Sequence, residues 1–418
     1  MKRVLSVLLA VLILATAVLT LVGCEEKQNG PATYVSAYKS KGEYQTINDP
    51  LTWDKINAFP IVSDQTTIEE GRNMVVDFFR FAKTALWIPS ETYEYVPGMF
   101  IEGGTIFGGL PYVSLASGSI YRLMDYMDPE THVVDIEKGG VKPTLFGNQC
   151  SFGSFVGYGR VINSVEGNWT SGMVIKKGYV PVGGYTYDDI SSFGGAHTTT
   201  NILDQIGQEK MNECYALLKH GDGIVYYTTA GHVVMISGDA HVEYGPDGKI
   251  DAGKSYVTVI DQTGTIAQAT SEAGETYNYE ANVDAKMTFL RLFEKHYLPF
   301  TFAEWEGTDP IEKSETTYSH TGDTISLDQL YGSKVTSNYA IGDIYAQIFD
   351  KNGNEVYKLA RRAEEAGLEE LDFKKAGFEM EEWGSLEDLD GKKEYTVKIS
   401  AQLYTGERPV LWEGKLAK

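Results

Sequence analysis

The chain of 418 residues carries 58 acidic against 36 basic side chains, a formal charge of −22. So acidic a molecule is a poor ligand for nucleic acid or anionic lipid through charge alone, and the same sign disfavours wall teichoic acids. Its length is too great for one small core and sufficient for two or three domains. Aromatic residues reach 12%, 27 of them Tyr, a composition shared by β-rich cores and by surfaces that stack on glycan or peptide.

The first element is a basic start, Met1-Lys2-Arg3, followed by an apolar run from Val4 to Val22 and by Leu21-Val22-Gly23-Cys24. A basic head, an apolar centre and small residues before a cleavage point describe a secretory signal over residues 1–23. The ending resembles the lipobox of bacterial lipoproteins, and that resemblance implies that Cys24 is lipidated and becomes the mature N-terminus, fixing the protein outside the cytoplasm on the cell membrane. Residues 24–45 are rich in Lys, Gln, Asn, Gly and Ser and read as a tether.

The following region, 46–305, reads as one domain. Thr67-Ile68-Glu69-Glu70 has the spacing of a capping box, and Val75, Phe78, Phe79, Ala82 and Leu86 recur at helical intervals until Pro89. That is an amphipathic helix in search of a core. The glycine-rich stretch Gly103-Gly104-Thr105-Ile106-Phe107-Gly108-Gly109-Leu110-Pro111-Tyr112 is read as a loop or as one wall of a cleft. A helix is expected from Cys150 through Ser151, Phe152 and onward to Gly159, with Gly153 and Gly157 on one face to permit close approach. Residues 160–208, containing Trp169, Gly183-Gly184 and His197, lack periodicity and read as an insertion that covers or lines the cleft.

Cys214 falls in a helical stretch, Met211 to Leu218, and reads as a buried inert thiol, with a Cys150–Cys214 disulfide as the alternative in a compartment that permits one. Strands follow at Ile224–Tyr227, His232–Ile236 and Val257–Thr263, then a helix from about Ala285 to His296. Beyond Glu306, residues 306–418 change to a smaller β pattern. Ile344, Ala346 and Ile348 alternate, Tyr395 through Leu403 alternate again, and an acidic helical patch lies between them near Ala363 to Leu371. A two-sheet sandwich is expected there.

The chemistry points to two stretches, Asn148-Gln149-Cys150-Ser151 and Gly221-Asp222 through Gly231-His232-Val233. A cysteine attacks as its thiolate, which a neighbouring imidazole or a helix start favours. Cys150 is therefore the candidate nucleophile and His232 the candidate base. Asp261, at the end of one strand, and His232, at the start of another, can meet at one edge of a small sheet. Because strand side chains alternate, Gln262 points the other way if Asp261 faces His232, and it stands as the alternative third residue or as a substrate or oxyanion contact. His132, His197 and His241 show no ligand spacing, and Asp350-Lys351-Asn352-Gly353 reads as a hairpin turn, so neither metal nor cofactor is expected.

Both stretches resemble the blocks of papain-like cell-wall hydrolases. Gln149-Cys150-Ser151 is similar to the nucleophile block of CHAP amidases, and Gly221-Asp222 to Gly231-His232-Val233 is similar to the base block of CHAP amidases and NlpC-type peptidases. The resemblance spans roughly residues 100–265. It implies an α+β, papain-like domain, with a nucleophile helix on a small antiparallel sheet, followed by a small C-terminal β-sandwich-like domain. It also implies Asp261 as the acidic third residue, a peptidoglycan peptide or muropeptide as substrate, and amide hydrolysis by Cys150 and His232. The main-chain N–H of Cys150 or the Gln149 amide then serves the oxyanion, and Tyr112 lies near substrate. The chain departs from the NlpC-type pattern in having Gln149 where that group has Asp. Two other readings of the same residues stand beside this one: a non-catalytic surface lipoprotein that binds cell-wall peptide or a protein, and a thiol acyltransferase.

Overall fold

The computed structural model describes residues 44–96, 98–113, 118–136, 147–164, 179–186, 199–228, 230–363, 367–374, 380–390 and 393–417. The signal segment, Cys24, most of the tether, Trp169, His197 and much of the 160–208 insertion lie outside them.

The described chain is a mixed α+β structure. Helix α1, Ile68–Thr84, starts where the sequence places it: the Thr67 hydroxyl accepts from the Glu70 N–H and the Glu70 carboxylate accepts from the Thr67 N–H. It stops earlier than Pro89, because Leu86–Pro89 becomes strand β1, buried at all four positions. The glycine-rich segment supplies the two-residue strand β2, Phe107–Gly108, which pairs with β1 on one side and with a later hairpin on the other.

With β3 (Val133–Val134), β4 (Tyr179–Pro181), β5 (Gly223–Tyr227), β6 (Gly231–His241), β7 (Tyr256–Thr270), β8 (Thr276–Thr288) and β9 (Leu298–Phe302), these form a nine-stranded sheet in the order β3-β1-β2-β8-β7-β6-β5-β9-β4. It is larger than the small sheet expected and mostly antiparallel; the β1–β3 and β2–β8 pairs are parallel. Among the helices around it are α1, α2 (Cys150–Tyr158) and α3 (Gln208–Tyr215).

Helix α2 is buried at all nine positions, which offsets the roughly 1 kcal/mol of helix propensity lost at each glycine. Gly157 lets it approach Met235 of β6 and Phe79 of α1; a Cβ there would stand 3.0 and 3.1 Å from those side chains. The helix expected over Ala285–His296 is reduced to Phe289–Glu294, capped by Thr288, because residues up to Thr288 keep their ladder partners on β7, Ala285 opposite Val259 and Thr288 opposite Tyr256. Pairing with a long neighbour overrides local propensity.

The C-terminal region forms a six-stranded sheet that includes Ile341–Phe349, Glu355–Arg362 and Thr396–Leu403, and a three-stranded sheet that includes Glu370–Asp372. They share a core of residues such as Ile344, Leu359, Leu371 and Ile399. The acidic patch near Leu371 is not helical where described: Gly367 takes φ +85° and Glu370–Asp372 pairs with Lys334–Thr336. The region also reaches into the first core. Tyr404 lies edge-on to Phe152 and Phe155 of α2 at 6.1 and 5.9 Å, and buried Arg122 meets buried Asp343 at 2.9 Å. The C-terminal sheet thus braces the back of the helix that carries Cys150.

Among the described residues no helix is long and apolar enough to cross a membrane.

Candidate active site

Cys150 is the first residue of α2, preceded by Gln149 in extended conformation. The loop before it is pinned rather than free: the Asn148 N–H donates to Pro111 O at 3.0 Å, and the Val113 N–H donates to Asn148 O at 3.0 Å. The end of the glycine-rich stretch therefore lies against the segment that precedes the thiol, and Tyr112 sits at that junction, its N–H held by the Glu280 carboxylate at 2.6 Å.

His232 stands on β6, in an apolar run whose next four residues are all fully buried. Its register explains its partner. Met235 pairs with Ile260, so Asp261 on β7 falls diagonally across from His232 on the same face of the sheet, within reach of a long side chain. The His232 Nε2 and the Asp261 Oδ2 are 2.9 Å apart. The other ring nitrogen, Nδ1, is left for the thiol, and Cys150 and His232 hydrogen-bond to each other. Residues 150, 232 and 261 are brought into one chain of contacts.

The electrostatics follow from that arrangement. Burial opposes ionisation of Cys150, but the His232 charge, its hydrogen bond and the N–H groups of Val233 and Ser151 outweigh it and hold the thiol below its ordinary range. Burial likewise opposes charge on His232, yet Tyr297, Cys150 and the Asp261 hydrogen bond push the imidazole well above its ordinary value. Each partner thus favours the charged form of the other. Cys150 is 4% exposed and His232 7%. The imidazole is screened by Tyr226, whose ring centroid is 6.1 Å away, and Tyr226 packs in turn on Tyr297 at 5.1 Å.

Gln262 is occupied elsewhere: its Nε2 donates to Leu110 O and Glu280 O, both at 2.8 Å, and its Oε1 accepts from Lys83. Gln149 is buried beside the thiol and makes no side-chain cap on α2. Cys214 is a free, buried thiol on α3, and Cys150 is free as well, so the two do not pair. The Asp350 turn is a hairpin turn, closed by Asn352 and Asn354 N–H groups on the Asp350 carboxylate.

Sequence reasoning missed Lys83, Tyr297 and Glu280. Lys83 is buried against the site and pushed down to about 7 by that burial, with Asp261 and Cys150 acting against the fall. Burial pushes Glu280 up to about 7, against its hydrogen bonds from Tyr95 and Tyr112. None of the three carried a signal in the sequence: Lys83 reads there as an ordinary basic residue in the last turn of a helix. Among the described residues no group of three or more His, Cys, Asp or Glu is placed to hold a metal ion.

No family model, no curated protein and no solved structure matches the chain.

Proposed function

We propose that the protein is a membrane-tethered thiol hydrolase with a papain-like catalytic domain, and that it cleaves an amide bond of peptidoglycan. The observation that carries this reading is the contact chain Cys150–His232–Asp261, with the thiol at a helix start and the imidazole held through Nε2 at 2.9 Å by a buried carboxylate. Structural cysteines do not need an imidazolium beside them.

In the proposed reaction the Cys150 thiolate attacks the amide carbonyl, and His232 gives its proton to the leaving amine. Water then adds to the thioester with His232 as base, and the acid product leaves as the thiol side is restored. Asp261 keeps the ring in the orientation that presents Nδ1 to sulfur. The main-chain N–H of Cys150 serves the oxyanion, with the Gln149 amide as the second donor. The signal segment and Cys24 support a lipid anchor at the outer face of the cell membrane, which places a muropeptide or wall peptide within reach.

The test is digestion of purified peptidoglycan by the full-length protein in detergent, beside Cys150→Ala. Soluble fragments with new amine and carboxyl ends, absent for the variant, are expected. Peptide binding without turnover would instead support a non-catalytic wall-binding lipoprotein, and a product joined to an added amine would support an acyltransferase.

A further inference from the structure

The last turn of α1 brings a cation to the thiol site. Lys83 is 3% exposed, a burial that lysine rarely undergoes without a charged partner. Two other buried cations have one, Arg72 meeting Asp222 at 2.8 Å and Arg122 meeting Asp343 at 2.9 Å, while fully buried Arg160 is held by the Tyr121 hydroxyl, the Pro60 carbonyl and the Phe78 ring. Lys83 forms no ion pair among the described residues. Its Nζ donates to the Gln262 Oε1 and lies 4.8 Å from the Phe79 ring centroid. Because Gln262 spends its Nε2 on two carbonyls, its Oε1 is fixed toward the lysine.

Gly153, one turn into the nucleophile helix, makes the space for this ammonium. A Cβ there would stand 2.8 Å from the Lys83 Nζ and 3.2 Å from the Asn148 Nδ2. Lys83, Asn148 and Gly153 line one small cavity against α2. Two buried oxygens near it, the Asn148 Oδ1 and the Asp261 Oδ1, have no partner among the described residues. So a site with an unpaired buried cation also holds acceptors not yet satisfied.

We propose that Lys83 is a positioning residue of the thiol site: anchored by Gln262 above Gly153, its ammonium stabilises negative charge on Asp261 and Cys150 and so sets the pH range in which the pair is charged. This rests on the reading of Cys150 and His232 as a working pair. The ionisable groups that face Lys83 are Asp261 on β7 and Cys150 on α2, with His232 reached through both. Glu280 on β8 lends Gln262 its main-chain oxygen but turns its carboxylate to Tyr95 and to the Tyr112 N–H. Burial brings Lys83 down to about 7, so the ammonium is present below neutrality and its support is withdrawn above it. Glu280 titrates in the same window, and substitution, not pH alone, must separate the two.

The experiment follows alkylation of Cys150 in the full-length protein by iodoacetamide across pH, read by peptide mass. In Lys83→Met the midpoint is expected to rise by about one unit, a roughly tenfold slower reaction at pH 6, and Lys83→Arg should recover at least half of the shift. A Lys83→Met profile that superimposes on the parent's overturns the proposal, as does an equal shift in both variants. A second arm does not depend on either variant folding. Coupling is reciprocal, so in Cys150→Ser the Lys83 midpoint, read by nitrogen NMR of labelled lysine, should fall by about half a unit or more; an unchanged midpoint overturns the proposal too. Neither arm uses a wall substrate, so a failure of peptidoglycan cleavage leaves both readouts intact.

Discussion

Cys150 and Cys214 are the same chemical group, each buried in the first core, at 4% and 0% exposure, yet their protons are held in opposite ways. Burial raises the Cys214 thiol, and the Lys210 charge does not overcome it. Burial also opposes ionisation of Cys150, but an imidazole and two main-chain N–H groups reverse the outcome. Both thiols lie on helices; Cys214 is near the end of α3 and Cys150 opens α2. A buried cysteine is inert by default, and only a specific set of neighbours changes that.

The difference is broken most completely by exchanging each thiol in turn. Cys150→Ala should reduce amide cleavage on the order of 10⁴-fold or more, whereas Cys214→Ala should leave it within about twofold and cost about 1–2 kcal/mol in urea unfolding for the small cavity created. If Cys214→Ala removed activity and Cys150→Ala did not, the assignment of the two thiols would be reversed. Asp261→Asn keeps the size of the side chain and removes its charge; turnover should drop roughly a hundredfold or more. Steady-state kinetics should show that loss in kcat, and a drop confined to KM would give Asp261 a substrate-binding role.

Lys83→Met sharpens the comparison through stability. The folded lysine has its midpoint at about 7 against 10.5 for the free group, so between those values the unfolded chain holds a proton that the folded chain has released, and stability rises with pH across that window. Below pH 7 the full cost of burying the ammonium is present, on the order of 5 kcal/mol. Lys83→Met should therefore be more stable than the parent at pH 6, with the gap narrowing steadily toward pH 10. Urea midpoints at several pH values check this, and a gap independent of pH would contradict it.

Much of the site was legible because its chemistry resides in rare residue types: one cysteine in a glycine-rich segment and one histidine at the head of an apolar strand. Asp261 was legible from its place at the end of a strand that can lie beside the His232 strand, with alternation separating it from Gln262. Lys83 was not. In the sequence it is a basic residue in the last turn of a helix, where a lysine ordinarily complements the helix dipole in solvent; it becomes buried only because Gly153 and Gln262, from distant segments, close over it. The nine-stranded sheet was hidden for a similar reason. One side of it is bridged by Phe107–Gly108, a two-residue strand with no periodicity to read, which joins β1 to β8 across about 170 residues of chain. The short helix at Phe289–Glu294 and the strand at Glu370–Asp372 show the same rule, since ladder partners elsewhere in the chain decided both.

The most direct test of the account is the pH dependence of Cys150 alkylation in the parent and in His232→Ala, with Cys214 followed in the same digest. The account predicts that Cys150 reacts with a midpoint well below the ordinary thiol value of about 8.5, that His232→Ala moves the midpoint up to or beyond that value, and that Cys214 stays unreactive until the protein unfolds. A Cys150 midpoint that is ordinary in the parent, or unmoved by His232→Ala, would contradict the claim that this buried thiol is an activated nucleophile.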